Sequence, residues 1–200
     1  MSALTIIRKL SSSLISKPQL VQTLIAILAV LGPFVVLSGG MWDAISHFLK
    51  EPDFFWTTQH VVVYSGVAMI SSAGLLGSIL IIKKRVDENM KKGIIVVLIG
   101  SIIQIIAGFG DSISHDIFGI DGLVSWSHQP LEFGILLTAI GGFLIIKSIK
   151  YGKIKKLIPI SIISLIFSIS WLGFNLSLLV GGTIMCLPFY EIFSSGCAIL

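Results

Sequence analysis

Residues 93–115 read GIIVVLIGSIIQIIAGFGDSISH. Nothing from Gly93 to Gly110 is charged, and Ile, Val, Leu and Gly dominate. A helix of that length and character can cross the hydrocarbon core of a bilayer. The run ends on Asp111 and His115. Similar apolar runs recur along a chain of 200 residues that is 54% hydrophobic and only 12% charged. A soluble domain carries about twice that charged share. Mean hydropathy is +0.99. Lipid admits only helices and closed barrels, and strand-like alternation is absent. The sequence therefore predicts an all-α integral membrane protein.

Five spans are expected, over about Gln19–Leu49, Gln59–Ile82, Gly93–Phe118, Ser127–Ile146 and Leu157–Gly181. Residues 1–18 read as a cytoplasmic amphipathic leader, because Arg8 and Lys9 precede a Ser-rich stretch and not a cleavable apolar core. Residues 19–82 and 93–146 form two tandem helical hairpins, and 157–200 an additional helix with an apolar tail. Within that tail, Gly182–Leu200 contains Pro188 and Glu191. It reads as a re-entrant or interfacial segment or an incomplete sixth span. Pro33 removes a backbone donor in mid-helix and is expected to kink the first span.

Charge assigns the sides. Arg8, Lys9 and Lys17 precede the first span. Lys83, Lys84, Arg85, Lys91 and Lys92 separate the second from the third, and Lys147, Lys150, Lys153, Lys155 and Lys156 the fourth from the fifth. With five alternating spans, every Lys and Arg except Lys50 falls on one side. The positive-inside rule makes that side cytoplasmic and the membrane the site of residence, with Asp111 and its counterparts at the outer face. Most acids share that outer side: Asp43, Glu51, Asp53, Asp111, Asp116, Asp121 and Glu132. Lys92 and Asp111 are 19 residues apart, about 28 Å along a helix. That distance puts Asp111 near the outer boundary. The basic loops are topology determinants that also favour anionic lipid; nucleic acid is not implied.

The four histidines fall into one repeated pattern. Asp43, His47 and His60 recur as Asp111, His115 and His128, in register at a shift of 68 residues. Gly40/Gly108, Ile45/Ile113, Ser46/Ser114, Asp53/Asp121 and Gly66/Gly134 match at the same shift. Two hairpins in parallel-repeat arrangement, related by a pseudo-twofold along the membrane normal, follow from that register. In each, Asp and the first His are i and i+4 on one helix. The second His opens the returning helix. Two imidazoles and a carboxylate then meet one ion with positions left open, a set suited to Cu, Zn or Fe over Mg or Ca. Alternatively the Asp orients a His from behind. The bland reading is a His–carboxylate clasp or proton relay. A single copy would leave that reading ahead, and two matched copies absorbing every His reverse the order.

The spacing and flanks carry a resemblance. D-x3-H-x12-H, with Asp53 through Ser65 reading DFFWTTQHVVVYS and residues 110–115 reading GDSISH before His128 and Gly134, resembles the C subunit of the copper membrane monooxygenases. That family includes ammonia and particulate methane monooxygenase. The resemblance covers Gly40–Gly134. It implies copper, with zinc second, at Asp43, His47, His60 and at Asp111, His115, His128. It also implies a hetero-oligomer with other monooxygenase subunits, an oxidising complex in which this chain is a metal-binding subunit. The second set here is headed by Asp111, where that family usually has Asn.

Asp53, Asp121, Glu132 and Tyr64 are candidates for the layer behind the ligands. Glu132 stands where the first copy has Tyr64. It reads as an acceptor for His128, a proton carrier or a neutral hydrogen-bonded core carboxyl. Trp42, Trp56 and Trp126 read as an aromatic belt. Cys186 and Cys197 read as a disulfide or as two thiols. Two other functions fit the same residues: a copper or zinc carrier or sensor, and a non-catalytic assembly subunit.

Overall fold

A computed structural model describes residues 17–49, 51, 54–118 and 126–181. The leader before Lys17, Asp53, Asp121, Glu191, Cys186, Cys197 and the tail from Gly182 lie outside them, as do the side chains of His47 and His115. The described residues form helices joined by short turns, without a strand. The helices are α1 (Pro18–Phe48), α2 (Thr58–Ile82), α3 (Glu88–Phe118), α4 (His128–Ser148) and α5 (Ile158–Leu179). A short 3-10 turn, Lys153–Leu157, leads into α5. All five helices are long and apolar enough to cross a membrane.

The expected spans match these helices to within two residues, apart from the start of α3. It begins at Glu88, five residues before the apolar run. Asp87 explains the early start: its carboxylate accepts from the Met90 amide at 2.8 Å, and Glu88 pairs with Lys91 at 3.2 Å. That amide is one of the orphan donors at a helix N-terminus. Asp87→Ala is expected to cost about 1 kcal/mol. Hydrogen exchange should show faster opening at Glu88–Lys91 and unchanged protection in the rest of α3.

The packing forms a closed ring. α1 lies against α2, α2 against α3, α3 against α4, and α4 back against α1. α5 packs outside the ring on α4 and α1. Isoleucines, valines and alanines fill the centre, among them Ile25, Ala29, Ile70, Ile94, Val97 and Ile145. The apolar faces turned outward include Ile99, Ile102 and Ile106 of α3 and Ile163 and Ile166 of α5.

Glycines set the helix spacing within each hairpin. A Cβ on Gly66 would lie 2.9 Å from the Gly32 carbonyl oxygen and 2.8 Å from the Val36 nitrogen. A Cβ on Gly134 would lie 2.9 Å from the Gly100 carbonyl oxygen and 3.2 Å from the Gln104 nitrogen. These are the same contacts at the same shift of 68 residues. Backbones this close need small residues on the facing helix.

Pro33 has a specific partner. α1 continues through it. Its missing N–H would have bonded the carbonyl of Ala29. Gly142 of α4 lies directly against that Ala29 carbonyl, where any added Cβ would collide with the oxygen. A glycine Cα–H can offer a freed carbonyl a weak donor where a side chain would block the approach. Gly142 thus lets α4 approach α1 at the carbonyl that Pro33 leaves without its helical donor.

The two ends of the bundle differ. At the basic end, Gln22 donates to the Arg85 carbonyl at 2.7 Å, and Tyr151 donates to Gln22 and to the Gln19 carbonyl. Burial pushes the Tyr151 phenol up from its ordinary pKa, against a lowering bond from Thr23. The opposite end carries the C-termini of α1 and α3 and the N-termini of α2 and α4. Both copies of the motif are there.

Candidate metal centres

Each hairpin joins its Asp to its second His. Asp43 is in the last two turns of α1, and His60 in the first turn of α2. His60 Nε2 lies 3.2 Å from Asp43 Oδ1. Asp111 and His128 occupy the matching places on α3 and α4. His128 Nε2 lies 3.3 Å from Asp111 Oδ2. Shelter is matched as well: the carboxylates are 14% and 16% exposed, the imidazoles 21% and 18%.

Backbone geometry produces this meeting. An antiparallel hairpin returns the start of its second helix beside the end of its first. The Gly32–Gly66 and Gly100–Gly134 contacts fix how close the helices run. Short separation lets a His and an Asp, both modest in length, reach across.

The hydrogen-bonding pattern at His60 constrains its chemistry. Nδ1 lies 3.1 Å from the Phe54 carbonyl. A carbonyl only accepts, so Nδ1 carries the proton. In the neutral ring, Nε2 then presents a lone pair toward a carboxylate oxygen. Two acceptors face each other unless a proton or a metal ion stands between them. Nδ1–H on a backbone carbonyl is also how ligating imidazoles are held in one tautomer.

The distances fit an ion. With bonds of about 2.0–2.1 Å, two ligands of a tetrahedral ion are about 3.3 Å apart. Among the described residues, no three His, Cys, Asp or Glu side chains converge on one point. Each centre has two described donors. Helix α1 carries His47 one turn beyond Asp43, and α3 carries His115 one turn beyond Asp111.

The surroundings differ between the copies. Around His60, Phe55 packs on Trp56 at 5.0 Å and on Tyr64 at 5.1 Å, and the Tyr64 hydroxyl donates to the Phe55 carbonyl at 3.1 Å. The Tyr64 ring lies 6.1 Å from that of His60. Trp42, Trp56 and Trp126 are all exposed at this end. In the second copy, Glu132 is buried at 4% exposure. A side-chain hydrogen bond joins it to Trp171 of α5. The Glu132 Oε2 has no hydrogen-bond partner.

Some of these contacts were not predictable from the motif. The Phe54 carbonyl is a backbone group in a loop and leaves no residue-type signal. Trp171 does leave one, since it lies inside a span where Trp42, Trp56 and Trp126 lie at the ends. Gln104 is buried and donates to Thr138 at 3.3 Å, which makes it part of the α3–α4 contact. Compared with known protein families, curated proteins and solved structures, the chain matches none.

Proposed function

We propose that the chain is a multi-pass membrane subunit that binds one metal ion in each hairpin, copper in the first place. Asp43, His47 and His60 would hold one ion, and Asp111, His115 and His128 the other. The supporting observation is the matched Asp–His pair across each hairpin, at 3.2 and 3.3 Å and at equivalent positions. A clasp in one hairpin would be ordinary. The same clasp twice, with the Gly–Gly contact beneath it also repeated, points to a duplicated unit kept for its donor set. The ring of contacts among α1–α4 is what a pseudo-twofold along the membrane normal would produce.

The basic end would face the cytoplasm and the two centres the outer side. The exposed isoleucines of α3 and α5 would face lipid or partner subunits. With the spacing that resembles the C subunit of copper membrane monooxygenases, this supports a place in an oxidising hetero-oligomer. Copper bound there would supply redox chemistry toward oxygen. The chain's own part is to fix the imidazole tautomer through Phe54 and to shelter the donors behind Phe55, Trp56 and Tyr64.

Metal content of the purified protein tests the reading. The wild type should carry about two copper ions per chain. His60→Ala and His128→Ala should each remove one, and the double variant both. Copper-free wild-type protein after loading, or full copper in the double variant, would sink it. A carrier or assembly role without oxidation chemistry would leave these counts intact and abolish only oxygen-dependent activity of the complex.

A further inference from the structure

The basic end of the bundle is built more tightly than topology alone requires. Gln22 of α1 sits between the two basic loops. Its Nε2 donates to the Arg85 carbonyl at 2.7 Å, and its Oε1 accepts from the Tyr151 hydroxyl. That hydroxyl also lies 3.2 Å from the Gln19 carbonyl. One side-chain amide therefore joins the turn after α2 to the turn after α4. The second loop is held from below as well: Ile149 and Ile154 are buried, and the 3-10 turn packs on α1, α4 and α5.

The turn after α2 carries backbone strain. Lys84 has φ +53, and among the described residues it is the one non-glycine with a positive φ. Its amide bonds the Ile81 carbonyl, and that of Arg85 the Leu80 carbonyl, at 2.9 Å each. Glycine usually fills the left-handed position of this helix ending, since a Cβ is unfavourable there. The turn after α4 does use glycine at its positive φ, Gly152 at +77. Strain held at one residue points to a use for its side chain. Lys83, Lys84 and Arg85 are exposed on one loop, and Lys150, Lys153, Lys155 and Lys156 on the other. The described acids at this end are Asp87 and Glu88. Both are engaged within the first turn of α3, one with the Met90 amide and one with Lys91.

We propose that the Gln22 clamp and the two loops form a headgroup site for an anionic phospholipid, with Lys84 and Arg85 on one side of its phosphate and Lys150 and Lys153 on the other. The loops follow the ends of α2 and α4, whose apolar runs stop at Ile82 and Ile146. That is the level of a leaflet surface. Lysine stems can lie along apolar surface while their ammoniums stay at the boundary. An anion relieves the mutual repulsion of cations that Gln22 keeps close, and each Lys or Arg near an anionic surface contributes about fivefold in affinity. Ile79 and Ile82, exposed in the last turn of α2, offer acyl chains a contact that a soluble phosphate would not use. The inference rests on the membrane reading and is independent of what the opposite end binds.

The probe is spin-labelled phosphatidylglycerol, read against spin-labelled phosphatidylcholine, with the full chain in phosphatidylcholine bilayers. The wild type is expected to select phosphatidylglycerol, and less so as salt screens the charges. Lys84→Gly should cut that selectivity about fivefold. Its melting temperature in phosphatidylcholine should hold or rise, because glycine relieves the positive φ. Tyr151→Phe keeps every charge but releases the clamp, and should lower selectivity as well. Lys92→Gln removes an exposed charge from the same end outside the clamp, and should leave most of the selectivity in place. Equal losses in Lys84→Gly and Lys92→Gln would show a diffuse positive surface and no site. Unchanged selectivity in Lys84→Gly, or a lowered melting temperature there, also overturns the proposal. Inorganic phosphate is the second probe. If it displaces the labelled lipid where chloride at equal ionic strength does not, the site belongs to a soluble phosphate and the lipid assignment fails.

Discussion

Gly142→Val is expected to prevent the ring of helices from closing, and Gly142→Ala to cost about 2–3 kcal/mol. The added Cβ would collide with the Ala29 carbonyl oxygen, a backbone atom that cannot swing aside. Relief requires α4 to move off α1, which opens the core at Val30, Ile145 and Ile146, residues with essentially no exposure. Thermal melting in mild detergent reads the effect. Gly173→Ala is the control, since nothing lies within 4 Å of a Cβ there. Wild-type melting for Gly142→Val would refute the close approach. Pro33→Ala should interact with it. Restoring the N–H returns a partner to the Ala29 carbonyl, so the two costs should combine non-additively in a double-mutant cycle.

If the hairpins hold metal as proposed, Gly134→Val is expected to reduce binding at the second centre more than tenfold and to spare the first. A Cβ at Gly134 meets the Gly100 carbonyl at 2.9 Å and the Gln104 backbone nitrogen at 3.2 Å. Separating α3 from α4 by even one ångström lengthens the reach between Asp111 and His128, and ligand sets lose affinity steeply when their supports loosen. Gly66→Val should do the same to the first centre through Gly32 and Val36. Counting copper per chain in each variant checks the result: one ion lost in each, from opposite hairpins. Loss of both ions in either single variant would show that the hairpins fail together and do not act as separate units.

Most of the fold was legible because its signals are one-dimensional. An uncharged run from Gly93 to Gly110 needs no partner to be read as a span. The early start of α3 was not legible from apolarity, because Asp87, Glu88 and Lys91 form a polar first turn whose stability comes from capping. The repeat was visible over Gly40–Gly134 through its rare residues. Its extension to Gly32/Gly100 was hidden, because glycines are frequent in such helices and only the facing backbone singles these two out.

The candidate centres divide the same way. The sequence by itself determined the helical class, the polarity of the two ends and the duplicated Asp-His-His register, since each depends on composition or spacing along one chain. Only the tertiary structure decided that Asp43 meets His60 and Asp111 meets His128, that the Phe54 carbonyl lies against His60 Nδ1, and that α5 packs on both α4 and α1. These are distances between segments far apart in the chain. They follow from how glycine, proline and carbonyl groups let helices approach, and spacing along the chain does not encode that approach.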